Sequence, residues 1–241
     1  MKEVLAELDR EGGPPRNVVL ANPGRGEFAS LPAPNSRYDA LELSLARLAG
    51  SDLPFALSYV LSRKYGNYVG VRDQDSGNPN AHAAQVSSST GLLPNDRTHS
   101  FKALASYRLS RAMTIGATFA AQSGTPTSEF ALVATDPLTL YFLSERGVAG
   151  RTPALWDLGF RGTFDIRRLP QRADARLVVD VLHAFSRQTA VRVDQIHYLT
   201  TDADGTPRNP NPFYQKGLQF QPPMTLRIGV EVGRRAVDDE R

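Results

Sequence analysis

Residues 37–63 read RYDALELSLARLAGSDLPFALSYVLSR. Leucine recurs at every second position as Leu41, Leu43 and Leu45, and after a break Phe55, Leu57, Tyr59 and Leu61 repeat the pattern. Small or polar residues lie between them. A period of two is that of a β-strand, whose successive side chains leave opposite faces. The stretch therefore predicts two strands, over 38–46 and 54–63, each with one apolar face. What that face touches decides the fold.

Five more runs alternate in the same way. In SFKALASYRL, Phe101, Ala103, Ala105 and Tyr107 oppose Lys102, Ser106 and Arg108. In MTIGATFAAQSG, Met113, Ile115, Ala117 and Phe119 oppose Thr114, Gly116 and Thr118. In LWDLGFRGTFDI, Trp156, Leu158, Phe160 and Phe164 oppose Asp157, Gly159, Arg161, Thr163 and Asp165. ARLVVDVLHAF alternates least cleanly, and MTLRIGVEVG sets Leu226, Ile228 and Val230 against Arg227, Gly229 and Glu231. Each run is about nine to eleven residues, the length a tilted strand needs to cross a bilayer. Strands of soluble sheets are usually shorter.

The connections alternate too. Those at 47–53, 109–112 and 167–173 are short; those at 64–99, 122–154 and 185–222 are long and hold most of the glycine and proline. Such residues form turns and loops. Long loops are uncommon inside compact soluble domains, whereas outer-membrane barrels pair short periplasmic turns with long outer loops. The expectation is an all-β, antiparallel up-and-down transmembrane β-barrel segment of about seven long strands. The first, third, fifth and seventh run toward the periplasm. The alternative is a soluble β-sandwich binding module, since alternation also describes a sheet with one buried face.

Composition leaves both readings open. The 241 residues suffice for one large all-β unit. Hydrophobic residues make up 41%, charged residues 22%, and mean hydropathy is −0.33. No run of transmembrane-helix length is apolar, but barrel strands hide their apolar content by alternation. The 28 basic and 25 acidic residues are scattered, with a net charge of +3, so nucleic acid is not an expected partner. The absence of cysteine excludes disulfides and thiolate metal sites. The opening MKEVLAELDREGGPPRN has no apolar core of signal-peptide length.

No catalytic set emerges. DQDSGNPN (73–80) and DADGTPRNPN (202–211) look like calcium loops, but position twelve counted from Asp73 is Ala84 rather than glutamate. Solvated turns are the simpler reading. NPGRGE (22–27) precedes no helix, and QSGTP lacks the paired glycines of a nucleophile elbow. His82, His99, His183 and His197 lack metal-site spacing. Ser87, Ser88 and Ser89 fall in a loop. Neither an enzyme nor a cofactor or metal is expected.

The two strand faces define the candidate residues. A charge on the lipid side costs about 2–4 kcal/mol at mid-bilayer. Glu42, Lys102, Arg108, Arg161, Asp165, Asp180, Arg227 and Glu231 are therefore assigned to a lumen wall, paired across strands. Leu41, Leu43, Leu45, Phe55, Leu57, Tyr59, Ile115, Phe119, Leu158, Phe160, Leu226, Ile228 and Val230 are assigned to lipid. Tyr38, Tyr59, Tyr107, Phe119, Trp156 and Phe164 lie near strand ends, as aromatic girdles do. Asn95, Asp96, Arg97 and Thr98 are expected to anchor a loop onto the third strand by an ion pair and turn hydrogen bonds. The competing role for Asp96 and Arg97 is to hold a loop beside a solute path.

Taken together, RYDALELSL, GLLPNDRTHSFK (91–102), QSGTP, AGRTPALWDL (149–158) and DVLHAFSRQTAVRVDQ resemble the C-terminal barrel region of TonB-dependent outer-membrane receptors, in their Oar-like subgroup. The resemblance covers about residues 18–232. It implies a Gram-negative outer-membrane barrel of about twenty-two strands, filled by a plug. Such a receptor imports a scarce small solute with energy from TonB. The implied partners are therefore outer-membrane lipid, TonB, the plug and an unknown solute. No plug, TonB-box-like segment or signal peptide is read in these residues. The last strand ends at Val232 and runs into GRRAVDDER rather than ending on an aromatic. The expected division is a leading outer-side segment (1–37), a partial barrel (38–233) and a polar tail (234–241), as from a truncated or split reading frame. A structural or adhesive outer-membrane barrel without transport is the remaining alternative.

Overall fold

The computed structural model describes residues 4–7, 18–21, 24–26, 29–30, 32–47, 52–69, 90–133, 136–166 and 173–234. The possible calcium loop at 73–80, with His82 and the serines 87–89, lies outside them, as does most of the polar tail. Seven long strands form one continuous antiparallel sheet: β1 (Ser36–Arg47), β2 (Phe55–Gly66), β3 (His99–Arg108), β4 (Met113–Gln122), β5 (Leu155–Ile166), β6 (Ala173–Leu182) and β7 (Thr225–Arg234). Neighbours in the sheet are neighbours in sequence, so the wall is an up-and-down meander without crossovers. Each alternating run of the sequence falls on one of these strands. A short strand, Gly91–Leu92, adds to the end of β2.

Register decides which side chains share a face, because directly opposed residues of an antiparallel pair point the same way. Leu43 opposes Tyr59, Tyr59 opposes Phe101, Ala103 opposes Phe119, and Phe119 opposes Leu158. Phe160 opposes Val181, and Val181 opposes Leu226. One face therefore runs apolar from β1 to β7. Between Asp39 and Arg63 at one end and Arg47 at the other, no Asp, Glu, Lys or Arg interrupts it among the described residues.

This face has no second layer over it among the described residues. Leu43 is 56% exposed, Ile228 65% and Val230 64%. Of the buried hydrophobic residues only Ala175 lies on this face; Phe130, Leu140 and Phe142 cluster within the connection between β4 and β5. A β-sandwich buries its apolar strand faces between sheets. Here they lie open, so the architecture is a single-layer wall.

The short turns behave as their composition suggests. Between β3 and β4, the Ser110 hydroxyl accepts the Ala112 and Met113 amides at 3.2 and 3.1 Å, closing the turn locally. The long connections differ from the loops read in the sequence. Those between β4 and β5 and between β6 and β7 fold into a small sheet of their own, with strands Asp136–Phe142, Phe130–Val133, Ile196–Thr201 and Pro207–Pro210 in that spatial order. Its middle pair is parallel and joins residues of the two connections. Two further pairs, Pro126–Thr127 with Gly150–Arg151 and Ala190–Val193 with Gly217–Phe220, tie each connection to itself. Leu132 and Ile196 pack on the Phe130, Leu140 and Phe142 cluster. Burial of these side chains outweighs the turn preference of the surrounding glycine and proline. β6 also ends at Leu182, before the alternation read through Phe185, because His183 turns to φ 53.

Candidate functional site

The second face of the wall carries the chemistry. Glu42, Lys102, Arg108, Arg161, Asp165, Asp180, Arg227 and Glu231 all occupy it, since each sits one residue out of phase with the apolar rows. Five of them fall in two rows across β5, β6 and β7. Arg161, Asp180 and Arg227 form one row by register. Arg161 Nε and Nη2 donate to Asp180 at 2.6 and 3.2 Å, and Arg227 Nε and Nη2 donate at 2.9 and 2.6 Å. Four residues along each strand, Asp165, Arg176 and Glu231 form a second row, with Arg176 Nε 2.7 Å from Asp165 and Nη1 3.8 Å from Glu231. The sign reverses from strand to strand and from row to row, so every charge faces opposite charges. Asp180 is buried beneath its two guanidiniums, which are themselves more than half exposed. Thr163, Val178 and Gly229 separate the rows. Glu42, Lys102 and Arg108 lie on β1 and β3, away from this lattice.

Arg176 was not picked out by the alternation, yet it organises the second row. Its signal was its spacing, four residues before Asp180 on the same face. His183, one of four histidines without metal-site spacing, has a partner of its own. Its Nδ1 stands 2.9 Å from Asp157 Oδ1, on the charged face.

A second constellation gathers around Asp96, at the end of the wall that carries the long connections. Its side chain is 1% exposed. Oδ1 accepts the Lys64 amide at 2.6 Å, and Oδ2 accepts Arg151 Nη2 at 2.6 Å. The Asp96 amide donates to Leu93 O, closing the turn that leads into β3. The Thr98 hydroxyl donates to Asp96 Oδ2 at 3.5 Å, and its carbonyl accepts the Ser62 amide. Arg97 Nη1 donates to Ser123 O at 2.7 Å, and the Ser62 hydroxyl donates to Arg97 O at 2.9 Å. Burial pushes the Arg97 guanidinium below its usual range. Asn95 is exposed at the turn. The knot thus ties the ends of β2, β3 and β4 to the strand that precedes β5. Arg151 also donates to Gly124 O at 2.8 Å. A Cβ on Gly124 would lie 1.6 Å from Thr152 O, and one on Gly91 would lie 2.0 Å from Arg146 O, so neither position admits a side chain.

Aromatic rings line the apolar face toward the same end. Phe101, Phe119 and Trp156 run across β3, β4 and β5 with centroids 6.1 and 6.4 Å apart, and Phe185 meets Trp156 edge-on at 5.5 Å. Tyr59 stacks on His99, with its hydroxyl 2.8 Å from Nδ1. Of the girdle residues, Tyr59, Phe119 and Trp156 fall in or beside this row. Tyr107 and Phe164 lie toward the other end of their strands, whereas Tyr38, at the start of β1, opposes Lys64 on the charged face and is not part of a girdle on the apolar side.

In the connection layer, His197 stacks on Tyr214 at 4.2 Å with rings nearly parallel, and its Nδ1 contacts Glu129. Burial raises the Tyr214 hydroxyl above its usual range. The turn at 202–211 uses its own carboxylates: Asp202 pairs with Arg208 at 2.7 Å, and Asp204 accepts the Thr206 amide at 3.0 Å, which holds Asp204 below the usual carboxylate range. No group of three metal-ligating side chains occurs among the described residues.

The chain is 29% identical over 215 residues to the TonB-dependent transporter Oar of Myxococcus xanthus. The match covers 83% of this chain and 20% of that protein, so the chain spans about a fifth of the relative's length. The resemblance to an Oar-like barrel region read from the motifs is borne out. No family model matches. In structure the chain is similar to the ferric citrate transporter FecA in its unliganded form, with a TM-score of 0.49, 18% identity, and coverage of 88% of this chain and 26% of that one.

Proposed function

We propose that this chain is part of the wall of an outer-membrane, TonB-dependent transporter barrel, with its apolar face in lipid and its charged face toward a water-filled lumen. One observation carries the reading: a face that is charge-free between its ends crosses seven strands and is left uncovered among the described residues, while Arg161, Asp165, Arg176, Asp180, Arg227 and Glu231 sit paired on the other face. In water that face would be an aggregation surface far larger than soluble proteins leave exposed. In hydrocarbon it is the low-energy arrangement, because strand pairing satisfies the backbone internally and side chains match the solvent. Trp156 to Ile166 on β5 spans ten steps. At about 3.3 Å per residue and a tilt of about 40°, that reaches about 25 Å, the height of a barrel's apolar band.

Dependence on TonB, an enclosed plug and an imported solute come to this chain from the character of its relative. The charge lattice supports them in one respect. A wall that faces water or an enclosed polar segment needs paired, hydrated charges of the kind that β5, β6 and β7 present. In this reading the knot around Asp96 fixes the outer ends of the strands, and the connection layer stands outside the membrane.

The sequence has no cysteine, so single cysteines can be introduced cleanly. With the full chain refolded into lipid vesicles, environment-sensitive labels at positions 41, 43 and 45 should report hydrocarbon, and labels at 42, 44 and 46 should report water. Labels that report water at all six positions, on a chain that is monomeric without detergent, would overturn the proposal.

A further inference from the structure

The aromatic row on the apolar face ends in a feature that the wall itself does not require. His99, Phe101, Phe119, Ala121, Ser123 and Trp156 border a shallow hollow of about 540 Å³. Its floor is apolar and its upper border is polar. Just beyond β6, the turn from His183 to Gln188 places three non-glycine residues at positive φ: His183 at 53, Ser186 at 46 and Gln188 at 43. The turn grips β5 from both faces. His183 meets Asp157 on the charged face, and Phe185 and Arg187 close on Trp156 from the apolar face. The Arg187 guanidinium lies 4.9 Å from the Trp156 ring centre. It is exposed and makes no ion pair among the described residues.

We infer that this hollow docks a phosphate-bearing lipid of the surrounding bilayer, its acyl chain lying over Phe101 and Phe119 and its phosphate held by Arg187. The inference rests on the membrane reading above. Arg187 does not line the hollow itself but lies against Trp156, which does, and with no acidic partner among the described residues its donors are open to a group at the edge of the hollow. Guanidinium matches phosphate in charge and in the geometry of paired N–H donors. The strained turn keeps the cation over Trp156 instead of leaving it free in solvent. The hollow lies at the end of the wall that carries the long connections, so the lipid belongs to the outer leaflet.

Trp156 is the chain's single tryptophan, so its emission reports on the hollow directly. The full chain, refolded in neutral detergent, is titrated with bisphosphorylated lipid A and with the same glycolipid stripped of phosphate. The phosphorylated lipid should give a saturable change in emission. Removal of the phosphates, or Arg187→Ala, should raise the half-point about tenfold, equivalent to about 1.4 kcal/mol. Arg187→Lys should recover part of the loss, Arg208→Ala should have no effect, and inorganic phosphate should not compete. Far-UV circular dichroism of each variant secures the fold. Equal half-points for the two lipids, or for Arg187→Ala and the parent chain, would overturn the inference while the membrane reading stands. A Trp156 that stays in water even in neutral lipid would defeat both.

Discussion

Asp96 shows how much of this chain's order hangs on single buried groups. Its carboxylate holds a backbone amide of β2 and a guanidinium 55 positions away, with almost no access to water. Removing a buried partner leaves the others unsatisfied, which costs more than the bond itself contributes. Asp96→Ala should therefore destabilise the outer end of the wall by about 2–4 kcal/mol. Hydrogen exchange should show the loss at the Lys64 amide and around Arg151, with the far ends of the strands unchanged. The sequence marked Asp96 and Arg97 as a polar knot. It could not name Arg151, because nothing local distinguishes that arginine from its neighbours; only the approach of β2 to the strand before β5 makes it a partner.

At the level of elements, the charge lattice and the connection layer behave as separate units. In the lattice, Asp180 serves two arginines and each arginine serves one aspartate. Asp180→Ala should therefore loosen the pairing of β6 with both neighbours. Arg161→Ala should loosen only β5 against β6, and Arg227→Ala only β6 against β7. Amide exchange on the three strands would check the asymmetry, and uniform changes in all three variants would contradict it. The connection layer rests on Phe130, Leu140 and Phe142. Phe142→Ala should cost that layer about 3–5 kcal/mol through the cavity it leaves. Limited proteolysis should then cut within 130–142 and 196–210 while the seven wall strands stay protected. The strands of the wall were legible from period alone, but the layer was not. Its apolar residues are few, its strands are short, and its central pairing joins segments 65 or more positions apart.

For the whole molecule, the decisive contrast is between the two faces of one sheet. Ile228 and Gly229 are adjacent on β7 but point to opposite sides, and both can be replaced by arginine. In vesicles, Ile228→Arg should reduce folding stability by about 2–4 kcal/mol, while Gly229→Arg, on the face of Arg227 and Glu231, should cost far less. Denaturant titration of the lipid-inserted chain would measure the difference. Equal costs would mean that both faces meet the same medium. The outer strands β1 and β7 each pair on one side only among the described residues. Unpaired strand edges template association with other chains. Without lipid and added strands, the chain should form concentration-dependent aggregates, which light scattering would detect.

The sequence by itself determined the strands, their faces and their order of short and long connections. Period two is written into each segment, and the apolar and charged sets follow from it residue by residue. Tertiary structure alone decided the register between neighbouring strands, that Arg176 lies between Asp165 and Glu231, that Arg151 reaches Asp96, and that Arg187 closes over Trp156. These are matters of register and of chain crossing at a distance. A strand's own side chains say which way they point, but the partner they meet is chosen by how the whole sheet aligns.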